Sequence, residues 1–358
     1  MTRLLIGVPA RNEARHIVQL ADSVERGASM LDSSVETCLA LAYQSSDDDT
    51  LERFTNRPSR ITQVVLQSPA PVSGKGANVK LLMRHALDEG ADHLLLVDAD
   101  FGDYDPRNVG RVVGAATRDG LGLTLPLWCR PQGQANTTNH LVSPMLFATH
   151  RAKIRQPIAG HMLLHRSLLE QIDVEALPDD YGIDIAVTLR ALTAGASVGQ
   201  VGLVSPRHPS KEGNSERIMV EVATAILGAV SRIPSIDRSD IQWPEHYWAD
   251  WEWPPDDGIP STHVGALRGH AGSEAALHSW LAMGDAADDE VAEMWSDHLA
   301  DAVLRCRAPH ADLARVVDDL VRPFFVHAEY RARSHASIAD VERYVAALGV
   351  RLAARLHG

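Results

Sequence analysis

Short apolar runs that stop abruptly at polar clusters, separated by stretches of helical spacing, leave this chain few folds to choose from. Residues 4–8, 35–43, 61–66, 94–97, 121–128 and 198–204 read as strands. Between them, "RNEARHIVQLADSVERGA", "GKGANVKLLMRHALDEG", residues 105–117 and "DDYGIDIAVTLRALTAGA" carry apolar residues near the helical period, with Asn12 a cap for the first. This alternation predicts an α/β fold: a mostly parallel sheet with helices on both faces. Ligands of such sheets sit at the carboxyl ends of the strands. The polar clusters "PARNEA", "YQSSDDD" and "DADFGD" fall at those ends.

"HLVSPMLFATH" and "IAGHMLLHRSLLEQI" are apolar and read as helical or mixed. From about residue 215 the pattern is helical only. We therefore expect an α/β catalytic domain over 1–214 and a helical domain over 215–358, with a Trp- and Pro-rich linker near 241–260. Trp243, Trp248, Trp251 and Trp253 in that linker could stack on a sugar, but packing against the helices is the favoured reading. The helical region would brace the catalytic domain or form a homodimer interface.

A net charge of −13 with neutral histidines argues against a nucleic-acid footprint and against an anionic membrane surface. Three widely spaced cysteines make neither a CxxC pair nor a disulfide framework, which fits a reducing cytoplasm. No segment approaches a membrane span, and the apolar run at the N-terminus is too short for a signal peptide. The expectation is a cytoplasmic protein.

"HLLLVDADFGDYDP" raises the sharpest chemical question, because an apolar run leads straight into Asp98 and Asp100. Burying an unpaired carboxylate costs several kcal/mol. Residues i and i+2 of a strand face the same way, so the two carboxylates point together if the extended form persists. Such oxygen ligands suit Mg²⁺ or Mn²⁺ holding a diphosphate, and a metal there would answer the burial cost. Taken alone, Asp-x-Asp is a common pair, and capping and turn residues are the preferred reading.

Other features accompany it. "GKGAN" sets Lys75 between two glycines ahead of a helix, where it could neutralise phosphate or carboxylate. The upstream glycine of a P-loop is missing, and on this motif alone a solvated surface lysine is as good a reading. "HMLLH" spaces His161 and His165 four apart, but Met162 stands where a zinc protease needs Glu. Histidines packed or solvated on a helix face are the preferred reading there.

"VPARNEA", "GKGANVKLLMRHAL", "LLLVDADF", "IRQPIAGHMLLHRSLL", "DDYGIDIAVTLRAL" and "SPRHPS" occur in an order that resembles retaining glycosyltransferases of the GT-A fold. Mannosylglycerate synthases and glucosyl-3-phosphoglycerate synthases are the nearest in pattern, over roughly the first three-fifths of the chain. The resemblance implies transfer of a hexose, mannose or glucose, from a UDP- or GDP-sugar to a small hydroxy acid such as glycerate. It also implies Mg²⁺ or Mn²⁺ on the donor diphosphate, held by Asp98, Asp100 and His208, with Asp100 the more direct ligand. Donor contacts carried over are Pro9, Ala10, Arg11, Glu13, Gln44, Lys75, Asp98, Ala99 and Gly160, with Ser45 weaker. Asp184 matches the acidic residue beside the reacting sugar. With Lys75 and Asp100 it makes the implied catalytic set, Asp184 holding hydroxyls and not acting as a nucleophile.

Two departures from the family's pattern bear on specificity. Ala159 stands where the first of two glycines is usual, which narrows the pocket beside Gly160. "QGQANTTNH" lacks the phosphate-gripping arginine of the phosphoglycerate-using enzymes, with Thr137 or Thr138 near its place. Acceptor contacts are then expected from Arg130, Thr137, Thr138, Asn139, His161 and Asp184, and the acceptor is expected to be unphosphorylated. Phosphoglycerate as acceptor is the alternative. A nucleotidyltransferase using the same metal site ranks lower, because "VPARNEARH" lacks the glycine-rich loop of that class.

Overall fold

A computed structural model describes residues 1–44, 46–67, 74–128, 135–204, 214–230, 287–333 and 338–357. They group into two compact units. One contains the described residues of 1–128 and 158–204; the other contains those of 135–157, 214–230 and 287–357.

The first unit is built on a seven-stranded sheet. Its strands are β1 (Thr2–Ala10), β2 (Val35–Tyr43), β3 (Thr62–Gln67), β4 (His93–Val97), β5 (Leu123–Trp128), β6 (His161–His165) and β7 (Val198–Leu203), in the order β3-β2-β1-β4-β6-β5-β7. All pairings are parallel except those of β6, which runs antiparallel between β4 and β5. The helices are α1 (Ile17–Ala28), α2 (Thr50–Asn56), α3 (Lys75–Asp88), α4 (Arg107–Asp119), α6 (Arg166–Leu169) and α7 (Ile183–Thr193), with α5 (Ser143–His150) in the other unit.

The sheet alternates strictly. Leu4, Ile6, Val8 and Ala10 of β1 join Leu95 and Val97 of β4 in a core closed by α1 and α4, through Leu20, Val24, Val109 and Val112. The opposite face meets α3, whose Leu82 packs over Gly7. β4 is apolar on both faces because both are covered.

"HMLLH" is a strand here and not a helix face, which corrects the expectation. A run of five with four residues buried in succession carries no period that separates strand from helix, and β6 fills the slot between β4 and β5. The stretch expected at 61–66 is β3, one residue displaced.

The second unit holds a π-helical turn (Thr138–Val142), α5, and helices α8 (Ser215–Val230), α9 (Ala287–Arg307), α10 (Leu313–Arg333) and α11 (Ile338–His357). Its core places Trp295 in a stack on His327 at 5.2 Å, with the Trp295 indole N–H donating to the His140 carbonyl at 2.6 Å. The grouping departs from a single boundary at 214/215, since residues 135–157 pack with the C-terminal helices. The cause is α5, which is buried on nearly every side and lies against α11: Phe147 fits over Gly349, and the His357 imidazole donates to the Ala148 carbonyl at 2.9 Å.

A buried ion pair ties α1 to the chain leaving α2. Arg57 is 7% exposed and donates to Glu25 at 2.9 Å and to Asp22 at 3.0 Å. Burial alone would raise the Glu25 pKa, but the Arg60 amide, Arg57 and Ser59 together hold it below the usual value. Replacing Arg57 by Ala should cost about 3–5 kcal/mol in urea unfolding, because Glu25 keeps a buried charge without its counter-ion. The depressed Glu25 pKa adds stability that is present above the unfolded value, about 4.3, and is lost as pH falls through the folded value. Acid titration of Glu25→Gln should lack that component.

Candidate active site

Strand order reverses between β1 and β4, and the conspicuous cluster lies at the carboxyl ends of that pair. Lys75 opens α3. Its ammonium donates to both oxygens of Asp98, at 2.9 and 3.0 Å, and to Asp184 at 2.7 Å. The three side chains are 12%, 18% and 7% exposed, so one cation sits between two carboxylates largely away from water. Burial pulls the Lys75 pKa down, yet Asp184 and Asp98 outweigh it and hold the ammonium well above its ordinary value. Lys75 is therefore charged throughout the physiological range.

Local sequence explains each placement. Asp98 follows β4 and keeps its alternation, on the face of Leu94 and Leu96 toward α3. At Asp100 the chain has left the extended form: the Phe101 amide donates to the Asp98 carbonyl and the Gly102 amide to that of Asp100. The common orientation that an unbroken strand would give therefore does not carry over to Asp100, which is buried at 3% exposure in a turn. Asp184 is in the first turn of α7, where the helix dipole favours a carboxylate.

The glycines flanking Lys75 have a packing cause. A Cβ on either Gly74 or Gly76 would overlap the backbone of residues 178–180, the segment that leads into α7. The Ala77 amide donates to the Asp179 carbonyl at 3.1 Å, and Lys80 reaches the Leu177 carbonyl at 3.2 Å and the Asp179 carboxylate at 2.8 Å. This seam sets α3 against α7 and so brings Asp184 to Lys75. "GKG" and "LPDD" are complementary in sequence, but nothing in either alone marks the pairing.

Gly160 meets Asp98 from the other side. It has φ +66°, its carbonyl accepts the Asp98 amide at 2.9 Å, and a Cβ would overlap the Asp98 carboxylate. Ala159 beside it is buried at 6% exposure.

Other expected donor residues are placed less directly. Pro9 and Ala10 end β1, Ala99 is buried in the turn, and Arg11 is exposed. The Glu13 carboxylate lies 3.1 Å from the His16 ring, and its amide donates to Thr50. Gln44 is engaged by its own chain: the carboxamide donates to the Gly74 carbonyl at 2.5 Å and accepts the Gly74 amide at 3.1 Å. In the structure it clamps the loop before Lys75.

His161 is corrected. It was expected to touch the acceptor, but it is fully buried, bonded to the Tyr104 hydroxyl at 2.8 Å and flanked by Trp128. Burial pushes its pKa down to about 3, so it is neutral. Tyr104, which the sequence reading passed over, thereby anchors the turn that holds Asp98 and Asp100 to β6.

Thr137, Thr138 and Asn139 belong to the helical unit, where Asn139 accepts from Arg155 at 3.3 Å. Arg130, His208, Ser45 and the Trp-rich segment lie outside the described residues. Among the described residues no group of three His, Cys, Asp or Glu side chains is placed to hold a metal. No described helix is long and apolar enough to cross a membrane.

No protein-family model and no curated protein sequence matches the chain. Solved structures do. Glucosyl-3-phosphoglycerate synthase from Mycobacterium tuberculosis, in complex with Mn²⁺, UDP-glucose and phosphoglyceric acid, is 22% identical over 65% of this chain and 81% of that one, with a TM-score of 0.54. The same enzyme with phosphoglyceric acid alone gives 21% identity, 65% and 82% coverage and a TM-score of 0.55. A complex with glycerol 3-phosphate gives 22%, 64% and 80%, and 0.51. The chain thus shares the GT-A-like α/β fold of that glycosyltransferase.

Gly160→Ala should destabilise the protein by about 2 kcal/mol or more, from positive φ and from displacement of Asp98. Thermal or urea unfolding measures this. An unchanged midpoint would mean that Gly160 and Asp98 are not in contact.

Proposed function

We propose that this protein is a metal-dependent retaining glycosyltransferase that moves a hexose from a nucleoside-diphosphate sugar to a small hydroxy acid such as glycerate. The observation that carries the reading is the Lys75–Asp98–Asp184 cluster at the switch point of a GT-A-like sheet. Its carboxylates and ammonium supply the charges that a diphosphate and its counter-ion require.

The residues present suit a divalent ion. Asp98 and Asp100 offer hard oxygen donors, and Asp100 is 3% exposed in the turn that follows Asp98. Asp98 and Asp100, with His208, would hold Mg²⁺ or Mn²⁺; the ion would act as a Lewis acid on the departing diphosphate. Lys75 adds a second positive charge beside the diphosphate and orients Asp98. Asp184, fixed by Lys75 and by the first turn of α7, accepts hydrogen bonds from sugar or acceptor hydroxyls and holds them in line for front-face transfer. Gly160, lacking a side chain, leaves the space that the Asp98 carboxylate occupies and so lets Asp98 face the donor site. Retention of configuration fits a site in which the leaving phosphate itself takes the acceptor proton.

Two acceptor readings differ in one group. The missing arginine in "QGQANTTNH" favours glycerate. The neighbouring glycosyltransferase, solved with phosphoglyceric acid, is the reason to keep a phosphorylated acceptor as the second reading.

Purified protein with Mn²⁺ should release UDP or GDP from one sugar nucleotide in an acceptor-dependent way, and faster with D-glycerate than with 3-phosphoglycerate. The reverse preference would overturn the choice of acceptor. Release of pyrophosphate in place of a nucleoside diphosphate would overturn glycosyl transfer itself. Asp100→Ala should abolish turnover while the protein still unfolds cooperatively and keeps its native circular dichroism.

A further inference from the structure

At the other edge of the sheet lies a cavity that the proposed reaction does not use. Its volume is about 370 Å³, within the range of small-molecule sites. It opens where β4, β5 and β7 begin and β6 ends, and His93 and His165 are among its lining residues. His93 starts β4 and Asp98 follows its end, so the cavity and the Lys75 cluster are separated by roughly 16 Å of strand.

Two observations mark the cavity as more than a packing gap. His93 is 6% exposed, and its side chain has a buried Nδ1 with no partner. A buried polar group without a partner costs about 1–3 kcal/mol. Beside it, with ring centroids 5.1 Å apart, stands His165. The His165 Nδ1 accepts the Ser167 amide at 3.1 Å, which puts the ring proton on Nε2 and makes that atom a donor. The pair therefore combines an N–H donor with a neutral imidazole, kept neutral because burial and His165 lower the His93 pKa.

The rest of the lining narrows the ligand class. Thr117, Ser167, Ser197 and Gln171 add hydroxyl and amide groups, and among the described residues no Asp, Glu, Lys or Arg lines the cavity. An organic cation would find no counter-ion. Anions are disfavoured as well, because α4 and α7 both end here and direct their negative dipole ends at the space. A transition metal bound through His165 Nε2 would force the ring proton onto Nδ1 and break the hydrogen bond from the Ser167 amide. What matches adjacent donors and acceptors with no net charge is a hydroxyl group, and several of them in 370 Å³ make a polyol or a pyranose.

We propose that this cavity is a second binding site, taking an uncharged hydroxyl-rich small molecule through His93 and His165. Occupation would stabilise the starts of the same strands whose far ends carry the reaction site.

The test is titration of full-length protein with D-glucose and with glycerol, followed by calorimetry and by the imidazole NMR signals of His93 and His165. Saturable binding that shifts both signals is expected. Ala194→Trp, at the exposed rim, should weaken it at least tenfold and leave UDP binding with Mn²⁺ unchanged. His93→Phe should do the same; if that variant fails to fold, Ala194→Trp alone decides. Binding that survives Ala194→Trp, or signals unmoved by either compound, would overturn the proposal. So would Zn²⁺ shifting both histidines when the polyols do not. None of these readouts depends on glycosyl transfer.

Discussion

Lys75 lies between two carboxylates, and both are held where they are for its sake. Asp98 comes from the end of β4 and Asp184 from the start of α7, elements far apart in the chain. In a low-dielectric setting, one ammonium between two carboxylates is favourable, whereas either carboxylate left alone would be costly. The cluster keeps a net negative charge before any ligand arrives. Were Asp98 to take up a cation, that cation would stand in for one partner of an ion pair already formed, and Lys75 would keep Asp184.

The surrounding structure serves that geometry. Gln44 clamps Gly74, the glycines of "GKG" let α3 press on residues 178–180, and Gly160 closes on Asp98 from β6. Behind the turn, Tyr104 and His161 join it to the sheet with a neutral hydrogen bond in an aromatic setting. The charged residues at the front are thus positioned by uncharged contacts at the back, where no titration at ordinary pH disturbs them.

Much of this was legible in the sequence. The strands fall close to where period and composition put them, because apolar runs bounded by polar clusters have one economical use in an alternating chain. Lys75, Asp98 and Asp184 could be picked out by residue type and order. Their direct contact could not, since it depends on the seam between "GKG" and "LPDD", which is tertiary. "HMLLH" was misread because a short run buried on all sides has no amphipathic signature. The clamp made by Gln44 and the burial of His161 were not legible for a related reason: a polar residue near a site looks the same in sequence whether it faces a ligand or bonds the protein behind it. The helical character after residue 215 was readable from spacing, but not that 135–157 would pack with it, because α5 is buried on nearly every side and names no partner.

The reversed direction of β6 has a consequence for how such a chain can vary. In a purely parallel sheet, the edge where strands end receives only departing loops. Here the segment entering β6 arrives at that same edge, so Gly160 meets Asp98 as the chain comes in and not as it leaves. Insertions or deletions upstream of residue 158 can lengthen or shorten what precedes the strand without shifting its register, which is fixed by pairing on both sides. The antiparallel strand gives the fold a port at which new sequence can be presented beside a fixed set of charges.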